Sequence, residues 1–201
     1  EGAWGIHPKE IAVEAGYAYE VIKNFSVSAT FKYLFSDMGR IGNSRGASSV
    51  AFDLGVLYKC GINDWEGAGW SVGLHVSNLG PKINYLTSKD ALPATVKVGG
   101  AADLPFLQMH KLTLTADLGY RLSPVDVQAL SVSAGAEYAW RELVMLRGGY
   151  HCGDKKKGDA SYATAGAGVE YAGVRLDFAW LFAGHEYLAR NTFWVSLGYS
   201  F

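Results

Sequence analysis

The stretch TFWVSLGYSF, Thr192 to Phe201, decides the fold. Side chains of a strand point alternately to opposite faces, so Phe193, Val195, Leu197, Tyr199 and Phe201 fall on one face and Thr192, Ser196, Gly198 and Ser200 on the other. A strand that crosses a bilayer needs about 9 to 11 residues and an outward apolar face bounded by aromatics. This stretch meets both conditions, and Tyr199 with Phe201 read as the assembly signal of a closing strand of an outer-membrane β-barrel.

The pattern recurs along the chain. Ile11, Val13, Ala15, Tyr17 and Tyr19 alternate with Ala12, Glu14, Gly16 and Ala18; Phe25, Val27, Ala29, Phe31 and Tyr33 alternate with Ser26, Ser28, Thr30 and Lys32. Val50 to Lys59, Trp70 to Ser77 and Leu112 to Tyr120 repeat it, and Ala94 to Ala102 does so less regularly. Leu130 to Trp140, Leu143 to Tyr150, Tyr162 to Tyr171 and Val174 to Phe182 precede the terminal strand. The expectation is all-β: a transmembrane antiparallel up-and-down barrel of which about eleven strands are visible, with no helix.

Composition agrees. The 201 residues are 49% hydrophobic with 25 glycines, yet mean hydropathy is only +0.05, so apolar side chains are spread evenly. No run approaches the roughly 18 apolar residues of a spanning helix. A net charge of -1 gives no field that would draw nucleic acid or an acidic substrate. The opening EGAWGIHPKE has no basic segment followed by an apolar one, so no export signal is visible; either it was cleaved or the chain is a fragment, and the strand count favours a fragment. Single-chain bacterial barrels have an even number of strands. Eleven strands therefore suggest one barrel domain over residues 1–201 that lacks its N-terminal strands.

Loop lengths orient it, since these barrels have short periplasmic turns and longer outer loops. With the C-terminus in the periplasm, Val21 to Asn24, Arg141 to Glu142 and Ala172 to Gly173 are tight periplasmic turns. Ser36 to Ser48, Ser77 to Leu92, His151 to Ser161 and Ala183 to Asn191 then lie outside. Gly61 to Gly69 and Asp103 to His110 are longer than the periplasmic side favours. A two-residue turn at Ala172-Gly173 sets Tyr171 against Val174, Val169 against Leu176, Ala167 against Phe178 and Ala165 against Trp180, all apolar. On the other face it sets Glu170 against Arg175, a luminal ion pair. Slipping by one residue would put Arg175 and Asp177 in lipid, where a midplane Arg costs about 2–4 kcal/mol.

Further inward charges are Glu14, Lys32, Asp53, Lys97, Asp117, Glu137, Arg147 and Asp177, compatible with a wet lumen or a plugged one. Outward Tyr19, Tyr58, Trp70, Tyr138, Trp140, Tyr171 and Tyr199 would form one aromatic girdle and Tyr33, Tyr120, Tyr150 and Phe182 the other. The competing reading makes them core aromatics of a soluble β-sandwich. Cys60 and Cys152 fall at opposite rims, too far apart for a bridge, which needs Cα atoms within about 7 Å.

Little points to chemistry. His151, Cys152 and Asp154 are the one compact set of metal-capable side chains, but they share a loop with Lys155, Lys156 and Lys157 and have no second ligand pair at zinc-like spacing. His185 and Glu186 belong to another outer loop. Gly166 and Gly168 lie mid-strand with no helix to follow, so they thin the barrel wall or relieve crowding rather than cradle phosphate. No P-loop, G-x-S-x-G or H-E-x-x-H occurs. The expectation is a protein that is not an enzyme and takes no cofactor or metal.

Two stretches carry a family likeness. Ser77-Asn78-Leu79-Gly80-Pro81-Lys82-Ile83-Asn84-Tyr85, followed by Leu92-Pro93-Ala94-Thr95-Val96-Lys97-Val98-Gly99, resembles the S-N-[IL]-G-x-K-I-x-Y and L-P-[TA]-x-[LV]-K-[LV]-G signature of the PorV/PorQ family of Bacteroidota. Arg147 to Tyr150, Lys155 to Gly158, Tyr162 to Gly168 and Asp177 to Trp180 resemble the C-terminal region of PorV-type members, so the likeness runs over about residues 45 to 201. Ala94 departs from a common Thr, and the N-terminal third, where a FadL-type hatch would lie, is absent.

The resemblance implies a FadL-like barrel of about fourteen strands when complete, in the outer membrane, acting in type IX protein secretion. Such a protein would bind cargo signal domains or the translocon and pass cargo to the surface attachment complex. Ser77, Asn78, Leu79, Gly80, Lys82, Tyr85 and Pro93 are then the candidate partner contacts, although Asn78, Gly80 and Pro81 also suit a purely loop-shaping role. The rival reading is a FadL-like channel for small hydrophobic molecules, which needs an apolar luminal pocket.

Overall fold

The computed structural model describes residues 9–37, 46–84, 89–184 and 192–200. They form strands β1 (Lys9–Ile22), β2 (Phe25–Asp37), β3 (Ala47–Gly61), β4 (Gly69–Leu79), β5 (Ile83–Asn84), β6 (Lys89–Asp90) and β7 (Thr95–Phe106). The chain continues with β8 (His110–Arg121), β9 (Leu130–Trp140), β10 (Val144–Cys152), β11 (Tyr162–Tyr171), β12 (Val174–Ala183) and β13 (Phe193–Tyr199). The helical content among the described residues is two single 3-10 turns, Val125–Val127 and Lys155–Lys157.

Eleven strands make one sheet in the order β1-β2-β3-β4-β7-β8-β9-β10-β11-β12-β13, while β5 and β6 pair separately inside a long connection. The expected up-and-down antiparallel topology of the β-barrel class is therefore present.

The contacts divide into two compact units. The first comprises Glu1–Leu57, Leu74–Val96 and Arg121–Gln128; the second comprises Tyr58–Gly73, Lys97–Tyr120 and Ala129–Phe201. In the first, β1 and β2 pair from Lys9↔Asp37 to Ile22↔Phe25, and the turn at Asn24 (φ 71) is closed by its N–H donating to Glu20 Oε1 at 2.8 Å. In the second, the register of the β11–β12 hairpin is the one its turn chemistry dictates: Tyr171↔Val174, Val169↔Leu176, Ala167↔Phe178, Ala165↔Trp180 and Glu170↔Arg175. Ala172 (φ 52) and Gly173 (φ 79) supply the two left-handed residues of a type I′ turn.

Large apolar side chains on one face of the strands are left exposed. Leu146 is 55% exposed, Leu197 77%, Val195 62% and Phe178 42%, and no large side chain is fully buried among the described residues. A sandwich would tuck Val195, Leu197 and Phe178 between sheets. Leaving so many in water forfeits about 1.5–3 kcal/mol each, so this face needs an apolar solvent. Aromatics gather at the strand ends: Tyr58 and Trp70 rings lie 5.7 Å apart, Phe106, His110 and Tyr138 form a cluster in which His110 Nδ1 is 2.6 Å from Tyr138 Oη, and Arg141 covers Trp140 at 5.3 Å.

Two connections differ from expectation. Strand β7 runs through Pro105 to Phe106, so the Asp103 to His110 link shrinks to the three residues Leu107 to Met109. Asp103 is held in the ladder by Thr113 Oγ1, which donates at 2.7 Å, and by Lys111 Nζ at 3.1 Å. The connection after β3 is a closed loop in which Ile62 N–H donates to Ala68 O at 2.9 Å and Trp65 Nε1 to Pro105 O at 2.8 Å. Both cysteines carry free thiols.

Candidate functional site

The signature stretch lies where β4 ends, and its residues act inward on the first unit. Asn78 has φ 57, a left-handed conformation that Asn tolerates better than most residues. That bend presents its N–H to Asp53 Oδ1 at 2.8 Å and its side-chain amide to Pro93 O at 3.3 Å. Lys32 Nζ reaches Asp53 Oδ2 at 2.8 Å, Asn78 Oδ1 at 3.5 Å and Glu14 Oε1 at 3.6 Å. His75 Nε2 stands 4.0 Å from Asp53 Oδ2. The Asp53 residue is only 7% exposed, and a carboxylate so placed requires these partners.

Asn78 thereby ties both ends of the segment between β4 and β7. Its first arm passes over the polar face of β3: Ser49 Oγ donates to Pro81 O at 3.1 Å. A Cβ on Gly80 would overlap Val50 O and stand 2.8 Å from Leu92 Cδ1 and 3.2 Å from Ala51 Cα, so only glycine fits. The second arm contributes Leu92 and Ala94, both buried, and Ala94 O accepts from Leu122 N at 2.7 Å. Beneath them Ala47, Ser49, Ala51 and Asp53 are buried on the face of β3 that periodicity assigns to polar surroundings. Ile83 faces Ala12 and Leu34 across a cavity of about 290 Å³.

The structure therefore gives Asn78 and Gly80 anchoring roles. Ser77 Oγ donates to Thr95 O at 3.5 Å. Leu79, Lys82 and Pro93 are exposed, and Tyr85 lies outside the described residues.

In the second unit the polar face carries a longer charge array than the hairpin alone suggests. Arg175 Nε donates to Asp177 Oδ2 at 2.8 Å, while its distance to Glu170 Oε2 is 3.9 Å, so the foreseen Glu170–Arg175 pair is the looser of the two. Arg147 on β10 bonds Glu137 on β9 and, across β11, Asp177 on β12. That span is open because β11 presents Gly168: a Cβ there would strike Asp177 Oδ1 and lie 3.2 Å from Arg147 Nη1. Relief of crowding is thus the function of this glycine.

The His151, Cys152 and Asp154 set does not converge. His151 bridges Ser133 Oγ and Asp159 Oδ1, each at 3.0 Å, and stacks on Tyr162. These are the residue types of a nucleophilic relay, but here both ring nitrogens are spent in tying the 153–161 connection to β9 and β10. Cys152 points to the opposite, exposed face, and Asp154 caps the 3-10 turn by accepting from Lys156 N at 3.0 Å. No group of metal-capable side chains converges among the described residues. His185, Glu186 and Phe201 lie outside them, and Tyr199 is 69% exposed on the apolar face of β13.

An antiparallel up-and-down sheet with an apolar outer face, aromatic strand ends and a charged opposite face defines an outer-membrane β-barrel protein. Comparison with protein-family profiles finds a match over residues 3–128, more than half of the chain, to the family described as type IX secretion system protein PorV. The chain belongs to the PorV family and is an outer-membrane component of the type IX secretion system. The match includes both signature stretches and begins well before residue 45, where the resemblance read from motifs started; the stretch from Arg147 onward lies beyond it. A search of curated proteins finds none that matches.

Proposed function

We propose that this protein binds type IX cargo, through its C-terminal signal domain, or the translocon from which cargo emerges, and passes cargo to the cell-surface attachment complex. The observation that carries the reading is the family match over residues 3–128. In this reading residues 1–201 belong to one barrel domain with the C-terminus in the periplasm, Tyr199 and Phe201 serve barrel assembly, and the long connections face outward. Leu79, Lys82 and Pro93, exposed beside the anchoring Asn78 and Gly80, are the partner-facing residues of the signature stretch. The polar character of the opposite face, with Asp53, Lys32, Arg147 and Asp177 paired on it, favours this role over a channel for small hydrophobic molecules.

Affinity purification from native membranes tests it. Translocon subunits or signal-bearing cargo should co-purify, and Leu79→Asp with Lys82→Glu should weaken their recovery without loss of the folded protein. Recovery of the chain alone, with fatty acid or detergent bound, would support the channel instead.

A further inference from the structure

The segment between β4 and β7 is long enough to extend as a free loop, yet its two described arms lie down on the sheet. Gly80 and Pro81 pass over Ser49 to Ala51, and Leu92 and Ala94 are buried beside them. The consequence is visible along β3: Ala51 is 0% exposed and Ser49 7%, although their side chains point to the face opposite Phe52 and Leu54. Nothing in the alternation of β3 demands such burial. It comes from the arms.

We propose that the two arms, residues 80–84 and 89–94, form a strap that closes the polar side of β3 to solutes, latched by the Lys32–Asp53–Asn78 cluster, and that loosening it opens that side. Three features point the same way. Asn78 bonds both Asp53, on the strand beneath, and Pro93, on the returning arm, so one residue holds the start and the end of the strap. Gly80 is in backbone contact with β3, a fit with no tolerance for a side chain. Ile83 extends the cover toward Ala12 and Leu34 on β1 and β2. A loop whose role was confined to outside partners would need none of these inward attachments. The inference does not depend on which protein the outer surface binds.

The test uses the full chain with Cys60 and Cys152 replaced by Ser, labelled in detergent micelles, where both rims meet the reagent, and assayed for uptake in proteoliposomes. Ser49→Cys should react with a membrane-impermeant maleimide at least about tenfold more slowly than Ser26→Cys, on the same face of β2 and outside the strap. Adding Gly80→Ala should remove that difference and raise uptake of a small sugar by about tenfold, the factor given by about 1.4 kcal/mol on a closed–open equilibrium. Gly148→Ala, whose Cβ would meet only Thr164 O at 4.0 Å, should do neither. Heat-modifiable gel mobility reports folding; if Gly80→Ala does not insert, Asp53→Ala, which removes both the acceptor of the Asn78 N–H and the partner of Lys32, serves in its place. Equal labelling of Ser49→Cys and Ser26→Cys in the otherwise unaltered chain would overturn the proposal. So would a folded Gly80→Ala that stays protected and impermeable.

Discussion

The glycine at position 168 should owe its value to an ion pair it does not itself make. Arg147, Glu137 and Asp177 have side chains 26%, 33% and 24% exposed. Breaking a fully buried pair costs about 3–5 kcal/mol, and an exposed one about 0–1. With a quarter to a third of each side chain open to solvent, Arg147→Met should cost about 1–3 kcal/mol. Gly168→Ala would drive Asp177 Oδ1 away from the guanidinium. Loss of that arm, about 1–2 kcal/mol, exceeds the 0.5–1 kcal/mol that Ala gains over Gly within a strand. The variant should therefore be destabilised. In an Arg147→Met, Asp177→Ala background there is no pair left to displace, and the same Gly168→Ala change should become neutral or stabilising. Reversible guanidinium unfolding in lipid vesicles, followed by the fluorescence of the six tryptophans, measures all five proteins. An equal cost of Gly168→Ala in both backgrounds would refute the argument, as would an Arg147→Met protein within about 0.5 kcal/mol of the parent.

The hairpin turn allows a gain. Ala172 holds φ 52, so Ala172→Gly should stabilise by about 1 kcal/mol in the same unfolding assay, whereas Gly173→Ala should destabilise because its Cβ would strike Ser200 O. Val195→Arg, on the apolar face in the middle part of β13, should cost about 2–4 kcal/mol, and Ser196→Arg far less, by vesicle folding titration. Asp159→Ala removes one of the two bonds that pin His151, so protease cleavage within 153–161 should accelerate while the strands stay intact. Denaturation without reductant should release two titratable thiols, from Cys60 and Cys152.

What could be read from the chain alone was whatever depends on neighbours in sequence. Alternation at Leu112, Leu114 and Leu118 or at Val195 and Leu197 set strands and faces, and Ala172-Gly173 set a register that every pair from Tyr171↔Val174 to Ala165↔Trp180 bears out. Contacts distant in sequence were not legible. Asn78 reads as a turn former, but its role comes from Asp53, 25 residues earlier, and Pro93, 15 later. Arg175 reads as the partner of the residue directly opposite, Glu170, yet Asp177 on its own strand is nearer. The Asp103 to His110 stretch reads as a connection, and β7 nevertheless continues through Pro105 to Phe106. Trp194 falls on the polar face of β13 at 48% exposure, where periodicity calls for a small or polar residue, and the structure offers no reason for it.

The account rests on two faces meeting two solvents, and nitroxide scanning of β8 measures that most directly. Spin labels placed singly at residues 112 to 118 in lipid vesicles should alternate with period two. Oxygen in the bilayer should reach positions 112, 114, 116 and 118 best, and a water-soluble nickel complex should reach 113, 115 and 117 best. Loss of alternation, or labels at 114 and 118 shielded from oxygen as in a protein core, would contradict it.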